Sequence, residues 1–146
     1  MKRHLNIPLA TMLLVGVLAA AAQAQTSSAQ KVVASIPFTF NVGQTELPAG
    51  KYTITVVNPS SDRKVLQIRN ADGRLSAMIQ TTSVLRNAAG DAKMVFHRYG
   101  DRYFFAQAQM AGDTTSLAAV KSKAERTEKE AIAKAGKKSV VVILAE

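Results

Sequence analysis

After the first 24 residues the chain holds one histidine, His97, and it has no cysteine or tryptophan anywhere. An imidazole acts as a general base when a nucleophile or an orienting carboxylate lies within hydrogen-bond reach. Zinc is ordinarily held by several His or Cys ligands. The spacing discussed below sets His97 on a strand opposite Phe104, where the sequence nominates no such neighbour, so His97 reads as structural. The lack of cysteine excludes disulfide scaffolds, cysteine-rich zinc modules and thiol nucleophiles. Asp62, Asp72, Asp91, Asp101 and Asp113 fall in turn-like segments and no Asp-x-Asp-x-Asp loop occurs, so they read as turn formers and not as calcium ligands. Ser35 and Ser122 lie in neither a Gly-x-Ser-x-Gly elbow nor a Ser-x-x-Lys set, and no Gly-rich phosphate loop is present. No catalytic, cofactor-binding or metal-ligating residue is nominated, and an enzyme is disfavoured.

Two surfaces remain as candidates for contact. Arg98, Tyr99, Arg102 and Tyr103 flank Gly100-Asp101, and exposed aromatics beside arginines often mark binding edges. Further on, Lys121, Lys123, Arg126, Lys129, Lys134, Lys137 and Lys138 alternate with Glu125, Glu128 and Glu130 for a local net of +4. Of these, Lys129, Lys134, Lys137 and Lys138 are the candidates for meeting an anionic glycan or lipid headgroups, by Coulomb attraction. The interspersed glutamates also suit an ordinary solvated helix. Nucleic acid is an unlikely partner, because no base-stacking or groove-reading motif accompanies the charge.

The elements that must position these residues begin after a leader. Met1-Lys2-Arg3-His4 is a basic head, Ile7 to Ala22 is apolar, and Ala22-Gln23-Ala24 supplies small residues for cleavage. The apolar stretch, interrupted by Pro8 and Gly16, falls short of the roughly 20 residues that span a bilayer. Residues 1–24 are therefore expected to be a signal peptide, residues 25–30 a flexible lead-in, and residues 31–146 a single β domain that is periplasmic or extracellular. Of the 19 Lys+Arg and 10 Asp+Glu in 146 residues, cleavage removes Lys2 and Arg3 and leaves a net +7.

From Lys31 to Met110 apolar residues alternate with polar ones, the period of a strand with one buried face. Val32, Ala34, Ile36, Phe38, Phe40 and Val42 predict one long strand, with Pro37 placing it at an edge or bulge. Leu47-Pro48-Ala49-Gly50 is a tight turn, followed by a strand with Tyr52, Ile54 and Val56 inward. Leu66 and Ile68, then Leu75, Ala77 and Ile79, form the inward faces of a hairpin closed by Asn70-Ala71-Asp72-Gly73. Residues 93–99 and 102–110 pair through Gly100-Asp101, which sets Tyr99 against Arg102, His97 against Phe104 and Phe96 against Phe105. That pairing puts Phe96 and Phe105 on one face, with His97, Tyr99, Phe104, Ala106 and Ala108 on the other.

Ser122-Lys123-Ala124-Glu125 has capping-box spacing and predicts a helix over 122–135, with a thin apolar stripe of Ala124, Ala131, Ile132 and Ala135. Glu125/Lys129 and Glu130/Lys134 would support it as i,i+4 pairs. Val140 to Leu144 is apolar throughout and predicts a closing strand covered on both faces. The fold class is all-β: a sandwich or partly open barrel of about seven or eight mostly antiparallel strands with one late amphipathic helix. An outer-membrane barrel competes on alternation alone, but aromatics make up only 5% and form no paired girdles.

Ile36-Pro37-Phe38-Thr39-Phe40 with Val42-Gly43, Leu47-Pro48-Ala49-Gly50-Lys51-Tyr52, Phe96-His97-Arg98-Tyr99-Gly100-Asp101-Arg102-Tyr103-Phe104 and Lys121-Ser122-Lys123-Ala124-Glu125 resemble a family of small exported bacterial β-rich proteins. The resemblance spans the chain after the leader. It implies export and a β fold, and carries no activity, cofactor or residue role. The expected function is a non-catalytic exported domain, a binding or structural protein of the envelope, whose partner is an envelope protein, an anionic glycan or lipid headgroups. The alternatives are a carrier that holds a small apolar ligand inside the β fold and, more weakly, a hydrolase of envelope polymers.

Overall fold

The computed structural model describes residues 31–133 and 138–145, so the expected signal peptide and lead-in lie outside the described residues. Ten strands and one helix follow in order. They are β1 (Lys31–Ile36), β2 (Phe40–Val42), β3 (Thr45–Leu47), β4 (Gly50–Val56), β5 (Val65–Asn70), β6 (Ser76–Leu85), β7 (Lys93–Tyr99), β8 (Arg102–Gln109), β9 (Thr115–Ala119), α1 (Lys123–Ala133) and β10 (Lys138–Leu144). All ten strands join one mixed sheet that does not close into a barrel. Among the described residues the fold is thus all-β with one late helix, as the alternation predicts, but with ten strands in place of seven or eight.

Three of the strands come from places the alternation did not separate. Pro37 has no N–H to donate and fixes its own φ, and the chain leaves the sheet at Pro37-Phe38-Thr39. The expected single strand therefore becomes two. β1 pairs antiparallel with β4, whereas β2 runs parallel to β8. Gly43, at φ +62°, turns β2 back into the short β3, a left-handed conformation that costs glycine nothing. β9 is the third addition, held between β6 and β8.

Long β6 joins the two halves of the sheet. Its first half pairs with β5 and its second half with β9. The β5–β6 hairpin turns where Asp-Gly predicts, with Gly73 at φ +70° and the Asn70 side chain accepting the Leu75 amide at 3.0 Å. Ala77 and Ile79 are buried as expected, but Leu75 sits in the turn's return and is exposed.

The core lies between the two halves. Val32, Ala34 and Ile36 of β1, Tyr52, Ile54 and Val56 of β4, and Leu66 and Ile68 of β5 meet Phe40, Phe96 and Phe105. The rings interlock edge to face, Phe40 against Tyr52 at 5.1 Å and against Phe96 at 5.3 Å, and Phe96 against Phe105 at 6.0 Å. Such pairs add to the burial of apolar area. Tyr52 keeps its hydroxyl satisfied by donating to the Pro48 carbonyl at 2.7 Å, and burial raises its pKa above that of a free phenol.

The β7–β8 hairpin has the predicted register from Tyr99↔Arg102 to Phe96↔Phe105. Beyond that a bulge opposite Val95/Phe96 inserts one extra residue, Ala106, into β8. One extra residue reverses which face every later side chain takes. Ala108 therefore lies opposite Met94 in the main core and not with His97, which corrects the strict alternation.

β10 also departs from expectation. Among the described residues it pairs with β7, an edge position, and Val140, Val142 and Leu144 are exposed while Val141 and Ile143 pack on the core. Only one face is covered, because its run of apolar residues extends the outer edge of the sheet and does not enter its middle.

Candidate functional site

The outer face of the β7–β8 hairpin carries the residues with chemistry. The register that buries Phe96 and Phe105 inward turns His97, Tyr99, Arg102 and Phe104 outward. Helix α1 covers them. Its start is set by Ser122, whose Oγ accepts the Glu125 amide at 3.1 Å while the Ser122 carbonyl accepts the Arg126 amide at 3.0 Å. That is half of the expected capping box. The Glu125 carboxylate does not return to its own helix end; it points down into the sheet and is 3% exposed.

There the Tyr99 hydroxyl donates to Glu125 Oε1 at 3.2 Å, and His97 Nδ1 lies 2.7 Å from the same oxygen. A carboxylate only accepts hydrogen bonds, so Nδ1 carries the proton and the tautomer is fixed. Tyr99, 1% exposed, has its pKa pushed up to about 12 by burial first, then by the Glu125 charge and by the hydrogen bond to it. Phe104 closes the layer with its ring 5.8 Å from that of Tyr99. One turn later along α1, Glu128 pairs with Arg102, whose guanidinium also lies 5.3 Å over the Phe104 ring. At the far end of the helix Ile132 approaches the Gly100 turn.

Glu125, Glu128 and Ile132, spaced three and four apart, thus make the helix face that meets the sheet. The expected apolar stripe is corrected accordingly: Ala131 is exposed and Ala135 lies outside the described residues. Glu125 faces β7 and not the exposed Lys129, and Lys134, proposed as the partner of Glu130, lies outside the described residues.

Beside this layer, the start of α1, Arg102 of β8 and the β2–β3 turn enclose an open cleft of about 450 Å³. Asn41, Gln44, Arg102, Lys123, Ala124, Thr127 and Glu128 line it. Asn41 is 8% exposed and anchored by its amide, which donates to the Tyr103 carbonyl at 3.2 Å. Its strand partner across the parallel pair is Phe104, so the same ladder that sets Phe104 under α1 sets Asn41 at the cleft wall. The volume falls in the range of about 300–1,000 Å³ usual for small-ligand sites.

No family model, curated protein or solved structure matches this chain.

The residues singled out by the sequence are dispersed. Of Arg98, Tyr99, Arg102 and Tyr103, only Arg102 lines the cleft. Tyr99 is buried beneath α1 and offers no surface. Arg98 and Tyr103 share the opposite face. There the guanidinium lies 5.5 Å over the tyrosine ring and donates from Nε to the Gly100 carbonyl at 2.8 Å, and Tyr103 stacks on Phe38 at 3.9 Å. Lys129 is exposed on α1; Lys134, Lys137 and the side chain of Lys138 lie outside the described residues. Among the described residues no group of three or more His, Cys, Asp or Glu is arranged to hold a metal ion.

Sequence reasoning passed over Asn41, Gln44 and Thr127, and read Lys123, Glu125 and Glu128 only as parts of a charged helix. Glu125 was absorbed by its capping-box position. Asn41, a polar side chain between Phe40 and Val42 in an apolar run, is the one signal that could have been read, since a buried amide needs a partner and marks a place where backbones meet.

Proposed function

We propose that this chain is an exported, non-catalytic β domain that binds an envelope component at its outer surface. The observation that carries the reading is the division of labour between its two faces. Inside, Phe40, Tyr52, Phe96 and Phe105 interlock ring against ring, which weighs against a carrier. Outside, an amide wall, a fixed guanidinium and an ammonium converge on one cleft. His97 and Glu125 act in this reading as a strut beneath that cleft: the carboxylate is satisfied by two donors and locks the helix that forms one wall.

Export is read from the basic head, apolar stretch and Ala22-Gln23-Ala24 of the sequence. No helix of the described residues is long and apolar enough to cross a membrane. Co-sedimentation with isolated envelope polymer, at low and high salt, tests the binding reading. Retention that weakens as salt rises is the expected result; no retention at either salt contradicts it. Mass spectrometry of the exported protein should place the N-terminus at Gln25, and an intact Met1 recovered in membranes would refute cleavage.

A further inference from the structure

The cleft beside α1 has a composition that selects among envelope components. Its charged lining is Arg102 and Lys123 against Glu128, a net of one positive charge. Arg102 is not a loose surface arginine: Glu128 grips one end of its guanidinium and the Phe104 ring lies beneath it. A planar fork held in place loses less freedom on meeting a planar anion, and a carboxylate matches that geometry. Lys123, exposed at the start of α1, supplies a second cation. The rest of the lining is the Ala124 methyl and three uncharged hydrogen-bonding groups, the Gln44 amide, the Asn41 side chain and the Thr127 hydroxyl, which already donates to the Lys123 carbonyl at 3.1 Å and so offers an acceptor, and Glu128 adds another acceptor. A lipid surface is best met by a flat basic patch with large apolar residues, whereas this cleft is concave, carries an acid and has only the Ala124 methyl among its polar groups. One negative charge surrounded by hydroxyls is the complement.

We propose that the cleft formed by Asn41, Gln44, Arg102, Lys123, Thr127 and Glu128 binds a carboxylate-bearing sugar unit of an acidic glycan. The proposal rests on the reading of the chain as an envelope-binding domain and names the ligand class of its site. The carboxylate meets the free edge of the Arg102 fork and Lys123. The sugar hydroxyls meet Gln44, Thr127 and Glu128. Asn41 fixes one wall through its bond to the Tyr103 carbonyl.

The test is isothermal titration of the full protein with tetragalacturonate, with neutral maltotetraose and with inorganic phosphate, together with flotation on phosphatidylglycerol vesicles. Saturable binding of tetragalacturonate and not of maltotetraose is expected. R102K keeps the charge and loses the fork, and K123Q removes the second cation; each should weaken binding about tenfold, the weight of a charge-assisted hydrogen bond. K129Q, on the exposed part of α1, should leave it within about twofold. Lys123 is exposed, so K123Q decides the matter if R102K fails to fold. Binding to phosphate or to vesicles without binding to tetragalacturonate overturns the assignment, as does equal weakening by K129Q. If all variants bind tetragalacturonate alike, the cleft is wrong while the envelope-binding reading stands. If the protein binds neither tetragalacturonate nor isolated envelope polymer, both fall.

Discussion

Tyr99 donates its hydroxyl to a buried carboxylate and, with its pKa pushed up to about 12, keeps its proton after an exposed phenol has lost it. Between pH 10 and about 12 the unfolded chain therefore binds fewer protons at this residue than the folded one, and stability falls as pH rises. The contribution is fully present below pH 10 and is lost through about pH 12. Urea unfolding at pH 9 and pH 11 should show this decline, and Tyr99→Phe should flatten it, leaving the smaller part due to Tyr52, whose pKa burial also raises. An equal decline in Tyr99→Phe would show that the buried hydroxyl is not the source. At this scale the sequence was least legible. His97 appeared partnerless because its partner lies 28 positions away, and Glu125 already had a local explanation as a cap. Short-range rules account for a glutamate at the third helical position without reference to the tertiary neighbour that claims its carboxylate.

Among elements, α1 depends on a polar anchor for its seat. Its sheet-facing side carries Glu125, Glu128 and Ile132, so among the described residues half-buried Ile132 is the one large apolar side chain that seats it. Glu125→Ala leaves the Tyr99 hydroxyl and His97 Nδ1 without their acceptor and should destabilise the protein by about 2–4 kcal/mol. Hydrogen exchange gives the sharper readout: α1 amides should exchange much faster in Glu125→Ala while those of Phe96 and Phe105 in β7 and β8 stay protected. Uniform acceleration across the sheet would show that the anchor supports the whole fold and not the helix. The hairpin registers were legible because two-residue and Asp-Gly turns fix pairing locally. The bulge at Ala106 was not, since an inserted residue leaves no mark in a run of apolar side chains. β9 was missed because Ala118 and Ala119 have weak strand preference; strands on both sides hold it in place.

At the scale of the molecule, the alternation from Lys31 to Met110 specified an all-β fold and most of its core, while the order of strands came from contacts no local pattern encodes. Parallel β2 against β8, reached only after the break at Pro37, is one of these. It also creates the cleft, by bringing Asn41 and Gln44 to Arg102 and the start of α1. Function on this account lies on the outer face, built by long-range pairing over the apolar core. Amide chemical-shift mapping of the uniformly ¹⁵N-labelled protein titrated with tetragalacturonate tests that most directly. The account predicts shifts confined to Asn41, Gln44, Arg102, Lys123, Thr127 and their neighbours, with the Ile54, Leu66 and Ile68 amides of the core unmoved. Shifts centred on those core amides, or spread along the exposed lysines of α1 with Asn41 and Arg102 silent, would contradict it.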